Sequence, residues 1–192
     1  MGNIILTRRF SSLQEQTFVT DNLFLFYDPS NTSSYSGSGT IINDLSPFNN
    51  SGTLVNGVGF NSGEGGYFTF DRNNDFIRVN QSTNVSVGSD VTLEIWHRPT
   101  SYSSSANRYY LVDPRGDGGF NNDDVYYIYD YMGYSDRIRF TFKIQGNEER
   151  LETNMSLNQW HQIVLKRSGN TYSFYLDNQL LGTSTDSSSG FT

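Results

Sequence analysis

From Asp21 onward, apolar residues fall in short runs separated by Gly, Asn, Ser and Asp. Leu23–Tyr27 (Leu-Phe-Leu-Phe-Tyr) is apolar enough to be buried on both faces, which predicts an interior strand. Val91–Trp96 alternates, with Val91, Leu93 and Ile95 on one face, and in Ile138–Ile144 every second residue is apolar. Further strands are predicted over Gly52–Asn56, Tyr67–Phe70, Phe76–Val79, Tyr109–Val112, Val125–Tyr129, Arg137–Lys143, Arg150–Glu152, Trp160–Lys166 and Thr171–Leu176. His161–Leu165 alternates only loosely, as a more central strand does. Ser168-Gly169-Asn170 and Asp177-Asn178 sit where hairpin turns belong, because Gly and Asn tolerate positive φ. Trp96 and Trp160, at the ends of apolar strands, are expected in the core. Many short strands punctuated by turns indicate an all-β sandwich or jelly roll.

Composition agrees with this pattern. The 192 residues suffice for one domain with a real core. The 18 Gly, 13 Tyr and 14 Phe suit turns and pleated, half-buried surfaces, and nothing reads as an amphipathic helix longer than two turns. A net charge of −7 repels a phosphate backbone, so nucleic acid is not an expected partner. The lack of Cys excludes a disulfide framework, thiol catalysis and cysteine metal ligation.

Residues 1–20 differ from the rest and read as an N-terminal arm ahead of a domain over 21–192. Asn3–Thr7 could form an edge strand. Ile4, Ile5, Leu6 and Phe10 have no obvious place in the domain's core, and Arg8 and Arg9 oppose the acidic domain in sign. These six residues are the candidates for docking onto a partner. The N-terminus lacks the continuous apolar core of a secretory signal, and Ile4-Ile5-Leu6 is far too short to enter a membrane as a span.

Several segments, in order, resemble the laminin G-like branch of the concanavalin A-like lectin/glucanase superfamily. They are Leu23-Phe24-Leu25-Phe26-Tyr27-Asp28-Pro29-Ser30-Asn31, Tyr35-Ser36-Gly37-Ser38-Gly39-Thr40 with Asp44-Leu45-Ser46, and Asn50-Ser51-Gly52-Thr53-Leu54-Val55-Asn56-Gly57. Tyr67-Phe68-Thr69-Phe70-Asp71 with Asp75-Phe76-Ile77, Val91–Trp96, Trp160-His161-Gln162-Ile163-Val164 and Tyr175-Leu176-Asp177-Asn178-Gln179-Leu180 complete the match over about residues 21 to 184. The resemblance implies a two-sheet antiparallel jelly-roll sandwich. Arg72 stands where the family pattern usually has Gly after Asp71. The family's final strand pair has no counterpart before Thr192: either those strands are truncated, or another segment, the arm or a neighbouring subunit, completes the sheet. Relatives with this opening are common among tailed-phage structural proteins. The resemblance therefore implies a non-enzymatic virion component, a capsid decoration or fibre, whose partners are other virion subunits or its own copies. The location expected on this ground is the virion, and otherwise the cytoplasm. A free module that binds a cell-surface glycan is the alternative, and a glycosidase the remotest reading.

The superfamily's glucanases carry two carboxylates on one strand in a Glu-x-Asp-x-x-Glu run, one as nucleophile and one as acid/base. No such run exists here: Glu94 stands alone on its strand, and Glu148-Glu149 is followed only by Glu152. His97 and His161, the two histidines, cannot form a multi-histidine metal site, and a packing or hydrogen-bonding role is expected for His161. No cofactor is expected apart from calcium. Asp113, Asp117, Asn121 and Asp123 in one loop offer the hard oxygen ligands calcium takes, against the plainer reading of a solvated acidic loop. Asp71 and Asp75 are read as capping their own hairpin. Tyr102, Tyr109, Tyr131 and Tyr134, in or beside expected loops, are the candidate glycan-stacking residues, against a packing role. Arg115-Gly116-Asp117 and the five Asn-x-Ser/Thr sites, at Asn31, Asn49, Asn80, Asn84 and Asn154, are read as accidents of composition.

Overall fold

The structure is a computed structural model, and it describes residues 2–6, 21–79, 90–101, 108–112, 125–131, 137–144 and 147–185. The described elements are strands and a single 3-10 turn at Gly63–Gly65. The chain divides into two compact units, Met1–Glu94 and Ile95–Thr192, and the boundary falls inside one strand, Asp90–His97.

In the first unit, β1 (Gly2–Leu6) pairs parallel with β2 (Leu23–Tyr27). Ile4, Ile5 and Leu6 stand opposite Leu25, Phe26 and Tyr27. In sheet order β1 lies between β2 and the strand Asp90–His97. Gly2–Leu6, within the segment expected as an arm, is thus a strand with a neighbour on each side, where an edge strand was expected. Strand β2 is buried at four of its five positions, as its unbroken apolar run requires.

A second sheet orders β3 (Ile41–Ile42), β4 (Gly52–Val55) and β7 (Phe76–Val79), all antiparallel. β5 (Gly59–Asn61) and β6 (Tyr67–Thr69) form a separate hairpin. The core of this unit joins Leu25, Tyr27, Tyr35, Ile42 and Leu54, with Val58, Phe60, Phe68, Ile77 and Val79 packed against it. Tyr35, Phe60 and Phe68 meet edge to face, with centroids 4.9 to 6.0 Å apart, the geometry that the ring quadrupoles favour. Gly52 is required where it stands. A Cβ there would come within 2.8 Å of the Tyr27 hydroxyl and 2.9 Å of Ile42 Cγ2.

β8 (Asp90–His97) buries Val91, Leu93 and Ile95, the face its alternation predicts. In the second unit, β9 (Arg108–Val112), β10 (Val125–Tyr131), β11 (Arg137–Ile144) and β12 (Asn147–Asn154) form an antiparallel four-stranded sheet. β13 (His161–Ser168), β14 (Thr171–Leu176) and β15 (Gln179–Thr185) form a meander. Strand β13 alternates strictly, with His161, Ile163, Leu165 and Arg167 inward, where the sequence suggested only loose alternation. Both expected turns are present: Gly169 has φ +57°, and Asp177 and Asn178 have φ +49° and +64°. Gly182 of β15 lies close to β12, where an added Cβ would sit 3.3 Å from Leu151 Cδ1.

Trp96 and Trp160 are half-buried rather than core. The Arg98 guanidinium lies 5.3 Å from the Trp160 ring centroid, so a cation occupies a face expected to be hydrocarbon-packed.

Candidate functional site

Three clusters of polar side chains are described. The largest lies between β2 and β4. Asp44 is 7% exposed, and its carboxylate accepts four hydrogen bonds. Oδ1 takes the amides of Phe26 (2.8 Å) and Ser46 (2.9 Å), and Oδ2 takes the Ser46 hydroxyl (2.6 Å) and the Asn50 amide (2.8 Å). Asn50 is also buried: its Nδ2 donates to the Phe24 carbonyl at 3.0 Å, and its own carbonyl accepts the Tyr27 hydroxyl. Burial first, and then the negative charge of Asp44, push the Tyr27 hydroxyl well above the usual tyrosine range. Asp28 and Ser34 extend the network. The Asp28 amide donates to Ser34 Oγ at 3.1 Å, and Ser34 Oγ donates to the Asn43 carbonyl at 2.8 Å. These bonds fix an irregular loop on β2, and the loop presents Phe48, 40% exposed, to solvent. The Phe48 ring stacks on Phe24 with centroids 4.4 Å apart and planes 8° apart, and the Phe48 amide donates to Ser46 Oγ at 3.2 Å.

The second cluster is the turn between β6 and β7. Asp71 Oδ1 accepts the amides of Asn73 (2.8 Å) and Asn74 (3.3 Å), and Asp75 Oδ2 accepts the amide of Asp71 (3.0 Å). Both carboxylates therefore serve the turn's own backbone, as expected from Asx-turn chemistry. Arg72 has φ +64°, which explains why Gly suits this position.

The third cluster is on β13. His161 Nδ1 lies 2.7 Å from Asp177 Oδ2, and Nε2 lies 3.0 Å from the Ser156 carbonyl. Both partners offer acceptor oxygens, each within hydrogen-bond reach of one ring nitrogen. Asp177 Oδ1 also accepts the Gln162 amide at 2.9 Å. His161 thus ties the start of β13 to the β14–β15 turn, a hydrogen-bonding role.

The residues singled out in the sequence fall mostly elsewhere. Asp113, Asp117, Asn121 and Asp123 of the calcium reading, Tyr102 and Tyr134 of the glycan reading, and Arg8, Arg9 and Phe10 of the docking reading lie outside the described residues. Tyr109 stands on β9 opposite Asp130, and Tyr131 on β10 opposite Arg108, so both belong to strands of one sheet. Among the described residues no group of three His, Cys, Asp or Glu could hold a metal ion. Glu149 and Glu152 of β12 pair with Phe142 and Arg139 of β11, and Glu94 stands on β8. The Asp44 network and the Phe24–Phe48 stack carried no functional signal in the sequence beyond the Asp44-Leu45-Ser46 pattern.

The family model described as the Concanavalin A-like lectin/glucanases superfamily, of laminin G type, matches residues 71–192. The chain belongs to this superfamily. Its class is accordingly the two-sheet antiparallel jelly-roll sandwich, and the described residues agree in being nearly all strand and mainly antiparallel. No curated protein sequence matches the chain. Among solved structures, it is similar to carbohydrate binding module CBM66 from Bacillus subtilis, at 20% identity and a TM-score of 0.44, over 71% of this chain and 80% of that one. It is also similar to an S-layer domain-containing protein from Clostridium thermocellum ATCC 27405, at 15% identity and a TM-score of 0.41, over 77% of this chain and 66% of that one. Among the described residues no helix is long and apolar enough to cross a membrane.

Proposed function

We propose that this superfamily member is a non-enzymatic, lectin-like module that serves as a structural component of a virion, where its jelly roll presents a glycan-contacting surface. One observation carries the non-enzymatic reading: the chain belongs to a superfamily of lectins and glucanases, yet its sequence holds no Glu-x-Asp-x-x-Glu run. Two carboxylates on one rigid strand are what glycoside hydrolysis on this scaffold requires. Several acidic side chains serve the fold: Asp44 holds a loop, Asp71 and Asp75 hold a turn, and Asp177 holds His161. The virion setting rests on the resemblance of the opening segment, Leu23–Asn31 with Tyr35–Thr40, to tailed-phage structural proteins. A free glycan-binding module is the second reading, favoured by the exposed, stacked Phe48.

The test incubates the purified chain with a panel of soluble β-glucans and measures reducing ends over a day. No release above a boiled control is the expected result. Release that is lost in Glu94→Gln would overturn the non-enzymatic reading. Detection of the chain by mass spectrometry in gradient-purified particles supports the virion setting, and its absence from them leaves the free module as the surviving reading.

A further inference from the structure

We infer that the Phe24–Phe48 stack is a subsite for one pyranose ring of a neutral glycan, an inference that rests on the lectin-like reading above. Phe48 is 40% exposed, although burying an aromatic ring is favourable by roughly 25 cal/mol per Å². The ring is nevertheless held in place. Phe24 backs it in a near-parallel stack, its amide is tied to Ser46 Oγ, and Ser46 and Asn50 on either side of it are anchored to buried Asp44. An exposed aromatic ring is thus held with its ordering cost already met by the fold, the arrangement that makes binding inexpensive in entropy.

The surroundings select the ligand chemistry. Residues 45–51 read Leu-Ser-Pro-Phe-Asn-Asn-Ser, with no charged side chain. Asn49, the next residue in the chain, is exposed and carries a neutral amide. An aromatic ring carried on an uncharged stretch of chain suits a neutral polyol that has one apolar side. A pyranose with equatorial hydroxyls is such a molecule: its axial C–H bonds form a face for the electron-rich ring, and its hydroxyls project sideways toward amides. A protein partner fits the size less well. A standard interface covers about 800 Å² per partner, whereas one aromatic side chain supplies roughly 150–250 Å². Of the other exposed large apolar residues among those described, Ile41 and Leu180 have no flat face, and Phe70 adjoins the acidic turn at Asp71.

The experiment is isothermal titration of the full chain with cellotetraose, a β-linked glucan with all-equatorial rings, together with Phe48→Ala and Phe48→Trp and a thermal melt of each protein. The expected result is measurable binding by the wild type, about tenfold weaker binding by Phe48→Ala at a near-unchanged melting temperature, and binding at least as tight as wild type by Phe48→Trp. Equal affinity of the wild type and Phe48→Ala overturns the subsite and leaves the lectin-like reading standing. If Phe48→Ala fails to fold, weaker binding by a folded Phe48→Trp overturns it instead. A wild type that ignores cellotetraose but retains other immobilised glycans refutes the assigned ring chemistry. One that retains none removes the lectin-like reading as well.

Discussion

Between Asp28 and Asn50 the chain contains only two residues of strand, Ile41 and Ile42, yet Ser34, Asp44, Ser46 and Asn50 are buried there, as Ile163 and Leu165 are on β13. The β13–β14 hairpin reaches that burial by alternation. Ile163, Leu165, Tyr172 and Phe174 face one way, and the ladder itself satisfies the backbone. The loop has no ladder. Its amides at Ser46 and Asn50, and that of Phe26 on β2, are satisfied by the Asp44 carboxylate. Irregular backbone can thus be buried when one side chain accepts the hydrogen bonds a neighbouring strand would have taken. The two devices also fail differently. Truncating an apolar side chain leaves a cavity, whereas truncating Asp44 leaves buried donors unpaired.

The substitution with the largest expected effect follows from that difference. Asp44→Ala should cost about 4 kcal/mol in chemical denaturation, because several donors lose their shared acceptor at once. A loss under about 1 kcal/mol would mean that the loop is held by something else. Next, Leu165→Ala should cost about 3 kcal/mol, the cavity penalty of a fully buried leucine, and should leave the Asp44 loop intact. Loss of Phe48 order in that variant, read by the NMR signals of its ring, would show that the two regions are not independent.

Tyr27→Phe sharpens the comparison through pH. Near neutral pH the variant should lose about 1 kcal/mol, because the Asn50 carbonyl forfeits its hydroxyl donor. The folded state raises the pKa of Tyr27 from its ordinary value of 10.0. The stabilisation this gives is therefore fully present below pH 10 and declines above it, where the unfolded chain releases the proton and the folded chain retains it. The stability gap between wild type and variant should narrow as pH rises past 10, and a gap that stays constant would contradict burial of this hydroxyl beside Asp44. The smallest effect is expected at Arg72→Gly. Relief of a left-handed backbone should gain roughly 0.5 kcal/mol net of the arginine's lost contacts, read as a small rise in melting temperature.

These regions were not equally legible in the sequence. The meander could be read because its signals are local: period-two apolar positions at 163, 165, 172 and 174, and turn residues at Gly169, Asp177 and Asn178. Even there Arg167 breaks the rule. It is buried on the apolar face, its Nε donates to the Gly169 carbonyl at 2.8 Å, and its guanidinium lies 5.5 Å from the Tyr172 ring centroid. The Asp44 network was visible only as a family pattern, because its bond to Phe26 spans 18 residues and polar hubs have no periodicity. Strand β1 was weighed as a possible edge strand, but its parallel pairing with β2 depends on a partner that the short segment Gly2–Leu6 does not specify. The Trp96 and Trp160 expectation erred for a related reason. Apolar runs predict which strands are buried, not whether a cation such as Arg98 will share an aromatic face.

The claim on which the rest depends is that this jelly roll contacts glycans without cleaving them. The most direct measurement is a glycan microarray probed with the fluorescently labelled full chain, followed by re-probing of the same spots with an unrelated lectin. The account requires saturable binding to a discrete set of neutral glycans, and spots that remain intact to the second probe. A chain that melts cooperatively yet binds no spot, or one that erases the spots it binds, would contradict it.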